Sequence, residues 1–298
     1  THQLTVNQRP LNATLSRQYD GTTTSAGSDL SSFDALQGGE TLTLSGSGTS
    51  ASANVANGIA MSSNGNLALV DGTGLASNYS LNSTVINITE RVLNSSGSKI
   101  YDANTDALAA DITLSNLVSG EALNHSGTAT ISSANAGSYT ITNLAGITIA
   151  DGSGGTASNY TLTGGTHNFT VNPKVVSIQG NKTYDGNTTI SSGDITSITD
   201  TVGAETLVIS SGSGTVSSAN AATYASAAIN EGTLTLGDGT GLASNYTLTG
   251  HAASSFQVTQ RVLSSSGSRI YDGSTTASSS DLTLSNLVGS ETLTLSGN

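Results

Sequence analysis

The chain has 298 residues, and 8 basic against 20 acidic side chains give it a formal net charge of −12. Ser and Thr supply 93 residues, Gly 35 and Asn 25, whereas only 9% are charged and there is no Cys or Trp. The missing Cys excludes a disulfide scaffold or thiolate metal site, the scarcity of bases argues against nucleic acid as a partner, and no run of 18 apolar residues is present to span a membrane.

In chain order, the first strand-like run is Leu4-Thr-Val6. It matches Ile86-Asn-Ile88, Phe169-Thr-Val171 and Phe256-Gln-Val258, so residues 1–8 read as the closing strand of a preceding repeat. Arg9 then opens a unit that recurs. Tyr-Asp stands at Tyr19, Tyr101, Tyr184 and Tyr271, at intervals of 82, 83 and 87 residues, and Ala-Ser-Asn-Tyr ends at Tyr79, Tyr160 and Tyr246. Two unrelated markers with one period identify an internal repeat. The units are residues 9–90, 91–173 and 174–260, with an incomplete fourth at 261–298, and the chain reads as a window on a longer array.

Within a unit the pattern is strand-like. Thr41-Leu-Thr-Leu-Ser45 and Thr292-Leu-Thr-Leu-Ser296 alternate strictly, which places leucines on one face and threonines on the other. Turn signals every 8–12 residues predict six or seven short strands in about 83 residues, the spacing of a small antiparallel sandwich. Only Ser31–Leu36 and Asp106–Ala110 suggest a helical turn. The fold class expected is therefore all-β: a tandem array of small antiparallel, Ig-like β-sandwich repeats, each with its own core, forming a rod. A unit of this size buries only about 60–65% of its unfolded surface, so neighbouring repeats of the same chain are expected to pack on one another. A β-helix is the competing architecture, although no 20–30-residue sub-period is visible.

The charges follow the repeat. Arg9, Arg91, Lys174 and Arg261 hold one position, and Arg17, Lys99, Lys182 and Arg269 hold another eight residues later; together they are all eight bases. An acid follows each of the four tyrosines, another comes ten residues after it (Asp29, Asp111, Asp194, Asp281), and a Glu comes at about twenty (Glu40, Glu121, Glu205, Glu291). The second set of bases is expected to pair with the nearby Asp or with that Glu and to pin strand register. An anion-binding stripe is the alternative, disfavoured by the net charge. The tyrosines are expected as core rings with hydroxyls on backbone partners, against sugar stacking as the sharper reading. Asp71, Asp151 and Asp238, each before Gly, fit a turn better than a Ca²⁺ site, which needs several carboxylates together. His2, His125, His167 and His251 show no ligand spacing, and no base is placed to activate a serine. No catalytic, cofactor-binding or metal-binding residue is assigned, no cofactor is implied, and the chain is not read as an enzyme. Eleven Asn-x-Ser/Thr sequons leave N-glycosylation open.

Arg17-Gln-Tyr-Asp-Gly21, Lys182-Thr-Tyr-Asp-Gly186 and Arg269-Ile-Tyr-Asp-Gly273, with Ala-Asn-Ala-Gly-Ser-Tyr139 and the Ala-Ser-Asn-Tyr marker, resemble YDG/MBG-type repeat modules. Such modules occur in large bacterial surface adhesins of the filamentous-haemagglutinin-like, two-partner secretion kind. The second copy departs from the pattern, with Ala103 in place of the glycine. The resemblance implies a secreted protein of the bacterial cell surface or extracellular matrix. Its expected role is a non-catalytic stalk or matrix fibre in adhesion or biofilm that projects a binding tip or self-associates into filaments. The alternative is a repeat-borne module for a host or matrix glycan or another surface.

Overall fold

The computed structural model describes residues 2–141 and 144–297. The described residues are all-β: short strands joined by tight turns, with eight three-residue 3-10 turns and no α-helix. Contacts divide the chain into two compact units. The first takes in everything up to Ser98, with Thr105–Ser132 and Ser138–Thr170; the second takes in Lys99–Asn104, Ser133–Gly137 and everything from Val171.

In the first unit a six-stranded sheet has the order Thr24–Ala26, Ser47–Ser50, Ala56–Ser63, Tyr79–Thr89, Arg9–Gln18, Leu30–Phe33. A separate two-stranded ribbon pairs Leu42–Ser45 with Ala68–Asp71, burying Leu42 and Leu44 and exposing Thr41 and Thr43 as the alternation predicts. The described residues of 91–173 carry nine strands, two of them only two residues long. In the second unit, Ile195–Thr199, Ser177–Thr183, Ser255–Thr259 and Ala222–Ala225 form one sheet, and Thr189–Ser191, Ser213–Val216 and Ile229–Asn230 another.

The sheets are mixed, not purely antiparallel. The opening strand Arg9–Gln18 lies parallel to the closing strand Tyr79–Thr89, from Arg9 opposite Tyr79 to Gln18 opposite Thr89. Ser177–Thr183 pairs in the same sense with Ser255–Thr259. A parallel pair needs a long crossover, and here the rest of the repeat supplies it. The consequence is topological: the chain enters at one end of the pair and leaves at the other. A ten-residue strand at about 3.3 Å per residue advances it about 33 Å.

Where opening and closing strands face each other, the repeats fill one volume in two ways. Leu15 stands opposite Ile86, whereas Gly180 stands opposite Phe256. A Cβ on Gly180 would lie 2.8 Å from the Phe256 ring and 2.5 Å from the Asp194 carbonyl oxygen; Gly97 meets Phe169 and Asp111 in the same way. Glycine here makes room for the larger ring.

Several expectations need correction. The core does not close within each repeat: one apolar cluster joins Leu15, Tyr19, Ile86 and Ile88 of the first repeat to Leu93 and Tyr160 of the second. The reason is the Tyr19 ring, which leaves its own repeat to pack against Tyr160. Ser31–Leu36 is no helical turn, since Leu30–Phe33 is a strand; the 3-10 turn sits just before it, at Gly27–Asp29. There the Asp29 carboxylate accepts the Ala26 amide proton and holds the turn. Residues 2–8 carry no strand among the described residues, and Leu4 and Val6 are exposed. Thr292–Ser296 is likewise not a strand, having no counterpart of Ala68–Asp71 beside it among the described residues. Among the described residues no helix is long and apolar enough to cross a membrane.

Candidate functional site

The recurring polar residues converge at the junctions between repeats. Tyr19 follows the opening strand, and its amide donates to the Thr89 carbonyl at 2.9 Å, fixing it beside the end of the closing strand. Its hydroxyl donates to Glu121 Oε1 of the next repeat at 2.6 Å. The Tyr160 hydroxyl donates to Glu121 Oε2 at 2.7 Å and accepts the Val118 amide proton at 3.0 Å. The two rings meet edge to face, with centroids 5.4 Å apart and planes at 78°. Each carboxylate oxygen therefore takes one tyrosine, one from either repeat.

The second unit repeats the arrangement. Tyr101 donates to Glu205 Oε1 at 2.7 Å, Tyr246 donates to Oε2 at 2.5 Å and accepts from the Val202 amide at 3.0 Å, and the rings stand 5.4 Å apart at 77°. Tyr184 bonds Glu291 in the same sense. Burial, then the hydrogen bond to the carboxylate, pushes the Tyr19 and Tyr246 hydroxyls up to about 12. Tyr101 is raised for the same reasons.

The Asn of the Asn-Tyr marker completes the contact. Asn159 is 1% exposed; its Oδ1 accepts the Val55 amide proton at 2.9 Å and its Nδ2 donates to Asn54 Oδ1 at 3.0 Å. Asn245 does the same to Ala136 and Asn135, at 2.8 and 3.0 Å. With their side chains consumed in this way, Asn159 and Asn245 are closed to glycosylation in the folded chain.

The bases shape the Tyr-Asp loop. Lys99 bonds Asp102 at 2.8 Å and the Asn104 carbonyl at 2.8 Å. Lys182 bonds Asp185 at 3.0 Å and the Asn187 and Thr189 carbonyls at 2.8 Å each. Arg17 pairs with Asp20, and Arg269 with Asp272. The Arg17, Lys99 and Lys182 side chains are buried while their acids stay largely exposed. Burial pushes the Asp102 carboxyl up, but the Lys99 ammonium and the Asn104 amide outweigh it and hold it below the usual carboxylate value. Of the two partners expected for these bases, the Asp takes them all, and the Glu serves the tyrosines. The pairs close a loop of a few residues and do not set register between strands.

Gly21 is the glycine of this loop, at φ +77°, and a Cβ on it would stand 2.9 Å from Val118 Cγ1 of the following repeat. Ala103 takes the same left-handed conformation at φ 64°. Arg91 clamps the loop that it faces, donating from Nε to the Asn116 carbonyl at 2.5 Å and from Nη2 to Asn116 Oδ1 at 2.8 Å.

Asp71, Asp151 and Asp238 accept the amide protons of Ala76, Ala157 and Ala243 at 2.7 Å each, so each carboxylate holds the turn that presents the Asn-Tyr marker. His167 is buried between Ser95 and the Leu162 carbonyl. His251 lies 3.3 Å from Glu231, a carboxylate partner twenty residues away that sequence spacing did not reveal. No group of three or more His, Cys, Asp or Glu that could hold a metal ion occurs among the described residues. A cleft of about 990 Å³ in the second unit is lined by Glu231, Thr247, Thr249 and Tyr246. The Tyr246 ring beneath it is buried, with its hydroxyl committed to Glu205.

Sequence reasoning missed the Tyr–Glu–Tyr contact. Its signal was present, because the Glu kept its place behind each Tyr-Asp, but the partner of Tyr19, Tyr101 and Tyr184 is the Glu of the next repeat.

No curated protein and no solved structure matches the chain. The YDG domain is found in two copies, over residues 3–86 and 88–169, which together make up more than half of the sequence. The chain belongs to the YDG domain family.

Proposed function

We propose that the chain is a non-catalytic extracellular scaffold, the stalk region of a bacterial adhesin or matrix fibre, whose repeats serve to carry a binding tip or to assemble into filaments. The observation that carries this reading is the reuse of one Tyr–Glu–Tyr contact at successive junctions. The recurring charged and aromatic residues are spent on shaping loops and joining one repeat to the next. The parallel opening and closing strands support it too, since they send the chain out of a repeat at the end opposite its entry. The aromatic faces that a glycan module would offer are engaged elsewhere: six of the nine tyrosines are buried, Tyr19, Tyr79, Tyr101, Tyr160, Tyr224 and Tyr246, and only Tyr271 is fully exposed.

Small-angle scattering tests the scaffold reading. A single compact globule of this length has a radius of gyration of about 19 Å, whereas repeats in line give a value above about 30 Å. A value near 19 Å refutes the stalk. Protease shaving of intact cells tests the location: a scaffold at the surface is cut, and a protein protected until lysis is not one. A glycan array separates the alternative, because specific binding to one sugar class favours the binding module.

A further inference from the structure

We propose that Lys99 and Asn104, and likewise Lys182 and Asn187, join their side chains in an intramolecular amide bond, with Asp102 and Asp185 carrying the protons. Each bond depends on one loop alone and stands apart from the scaffold reading.

Each loop brings an amine, a carboxamide and a carboxylate together. Lys99 Nζ donates to Asn104 Oδ1 at 2.7 Å and to Asp102 Oδ1 at 2.8 Å, while Asn104 Nδ2 donates to Asp102 Oδ2 at 2.7 Å. Lys182 Nζ donates to Asn187 Oδ1 at 2.9 Å and to Asp185 Oδ1 at 3.0 Å, while Asn187 Nδ2 donates to Asp185 Oδ2 at 2.8 Å. One carboxylate therefore touches both the nitrogen that would attack and the nitrogen that would leave. The Lys99 and Lys182 side chains are 8% and 6% exposed, so each amine is held against its amide with little water between them. In the second loop the Thr189 amide also donates to Asn187 Oδ1 at 2.9 Å, where negative charge gathers during attack.

The sequence separates the repeats in the same way. Where the base is Lys, the residue five positions on is Asn, at Asn104 and Asn187; where it is Arg, at Arg17 and Arg269, that residue is Thr22 or Ser274. Arg17 and Arg269 still bond the Thr22 and Ser274 carbonyls and their own Asp, so the loop closes without a carboxamide. A guanidinium stays charged and is no nucleophile, and a hydroxyl side chain offers no acyl carbon. Amine and carboxamide occur at these positions together or not at all.

The step balances within the loop. Asp102 takes a proton from the Lys99 ammonium, and the neutral amine attacks Asn104 Cγ as the carbonyl electron pair moves onto Oδ1. Asp102 then passes one proton to Nδ2 and takes one from the newly bonded Nζ. The Cγ–Nδ2 bond breaks, and ammonia leaves with the remaining proton as ammonium. Nothing is oxidised or reduced. The ion pair favours the charged amine, so the bond forms slowly, which a reaction that runs once per chain permits.

Intact mass and tandem mass spectrometry test the bond on the 298-residue chain, kept folded until its mass is constant. The chain should be lighter than its sequence by two ammonia molecules, trypsin should no longer cut after Lys99 or Lys182, and fragment spectra should place the links at Lys99–Asn104 and Lys182–Asn187. Lys99→Arg combined with Asn104→Thr copies the Arg17 and Thr22 of the first repeat; it should unfold in urea like the parent and lose one ammonia only. Asp102→Asn keeps the amine and the amide, and should leave this loop at full mass. A parent at full sequence mass, a loss confined to one loop, or a loss carried by any asparagine other than these two overturns the proposal. So does a first-loop loss that survives Lys99→Arg, or an Asp102→Asn chain that links as fast as the parent.

Discussion

Tyr19 and Glu121 are 102 residues apart in sequence, and their hydrogen bond is 2.6 Å long. Replacing Tyr19 by Phe removes the hydroxyl and keeps the ring in its edge contact with Tyr160. A hydrogen bond to a charged group contributes about 1.5–3 kcal/mol net, and the half-exposed setting of Glu121 argues for the lower end, so Tyr19→Phe should cost about 1.5 kcal/mol. Glu121→Gln keeps the shape but removes the charge from two bonds at once, and should cost about 2 kcal/mol. The informative quantity is the coupling. In a double-mutant cycle the pair should cost about 1 kcal/mol less than the sum of the single variants, because the shared bond can be lost only once. Urea unfolding followed by tyrosine fluorescence is suited to this chain, which has nine Tyr and no Trp. The data should be fitted with separate repeat and nearest-neighbour terms, as a tandem array requires. The loss should fall on the neighbour term. Single-variant costs that add to within about 0.3 kcal/mol would refute the reasoning, as would a coupling in the first unit with none for Tyr101→Phe and Glu205→Gln in the second.

The alkaline limit follows from the same contact. Tyr19 and Tyr246 ionise at about 12 in the folded chain against 10.0 ordinarily, so their contribution is complete below pH 10 and is lost as pH rises through about 12; ultraviolet titration in which every tyrosine ionises near 10 with the fold intact would contradict it. Ala103 holds φ 64°, and Ala103→Gly should raise stability by about 1 kcal/mol by releasing the left-handed strain, read as a higher urea midpoint. Gly21→Ala should lower stability by more than that, since it adds a 2.9 Å contact with Val118 to the strain. Gly180→Ala should cost more than about 2 kcal/mol through overpacking against Phe256, and Gly180→Leu with Phe256→Ile, copying Leu15 and Ile86, should recover at least half of the loss caused by Gly180→Leu alone; thermal unfolding of the three variants decides it.

The all-β class was legible because its signals are local. Leu42 and Leu44 alternate with threonines and are buried as the pattern requires, and Lys99 finds its acid only three residues away at Asp102. Contacts that cross a repeat boundary left no local trace. Glu121 bonds Tyr160, 39 residues on, and Tyr19, 102 residues back, and nothing in the run around it distinguishes this from pairing with Lys99. The parallel pairing of opening and closing strands was hidden for another reason. Period-two alternation reports which face a residue takes and is silent on the direction of the neighbouring strand. The individual core centres expected for each repeat failed on the tyrosines, whose placement depends on a neighbour that a reading of one repeat leaves out.

Recurrence within the chain sorts the residues by what they must match. The opening and closing strands of one repeat face only each other, so Leu15 with Ile86 can give way to Gly180 with Phe256 as long as the volume is kept. Both changes lie inside one repeat. A junction residue that bonds through its side chain has less freedom, because its partner belongs to another repeat and its counterpart must fit the next junction as well. Replacing the Glu of one repeat would strand the Tyr-Asp tyrosine of the repeat before it, together with the Asn-Tyr tyrosine of its own. Tyr19, Tyr101, Tyr184 and Tyr271 are accordingly the same residue in all four copies, as are Glu40, Glu121, Glu205 and Glu291, while the strand pair varies. Interchangeable repeats require a constant interface and tolerate a drifting interior, which is why the motif visible in the sequence is the motif of the joint.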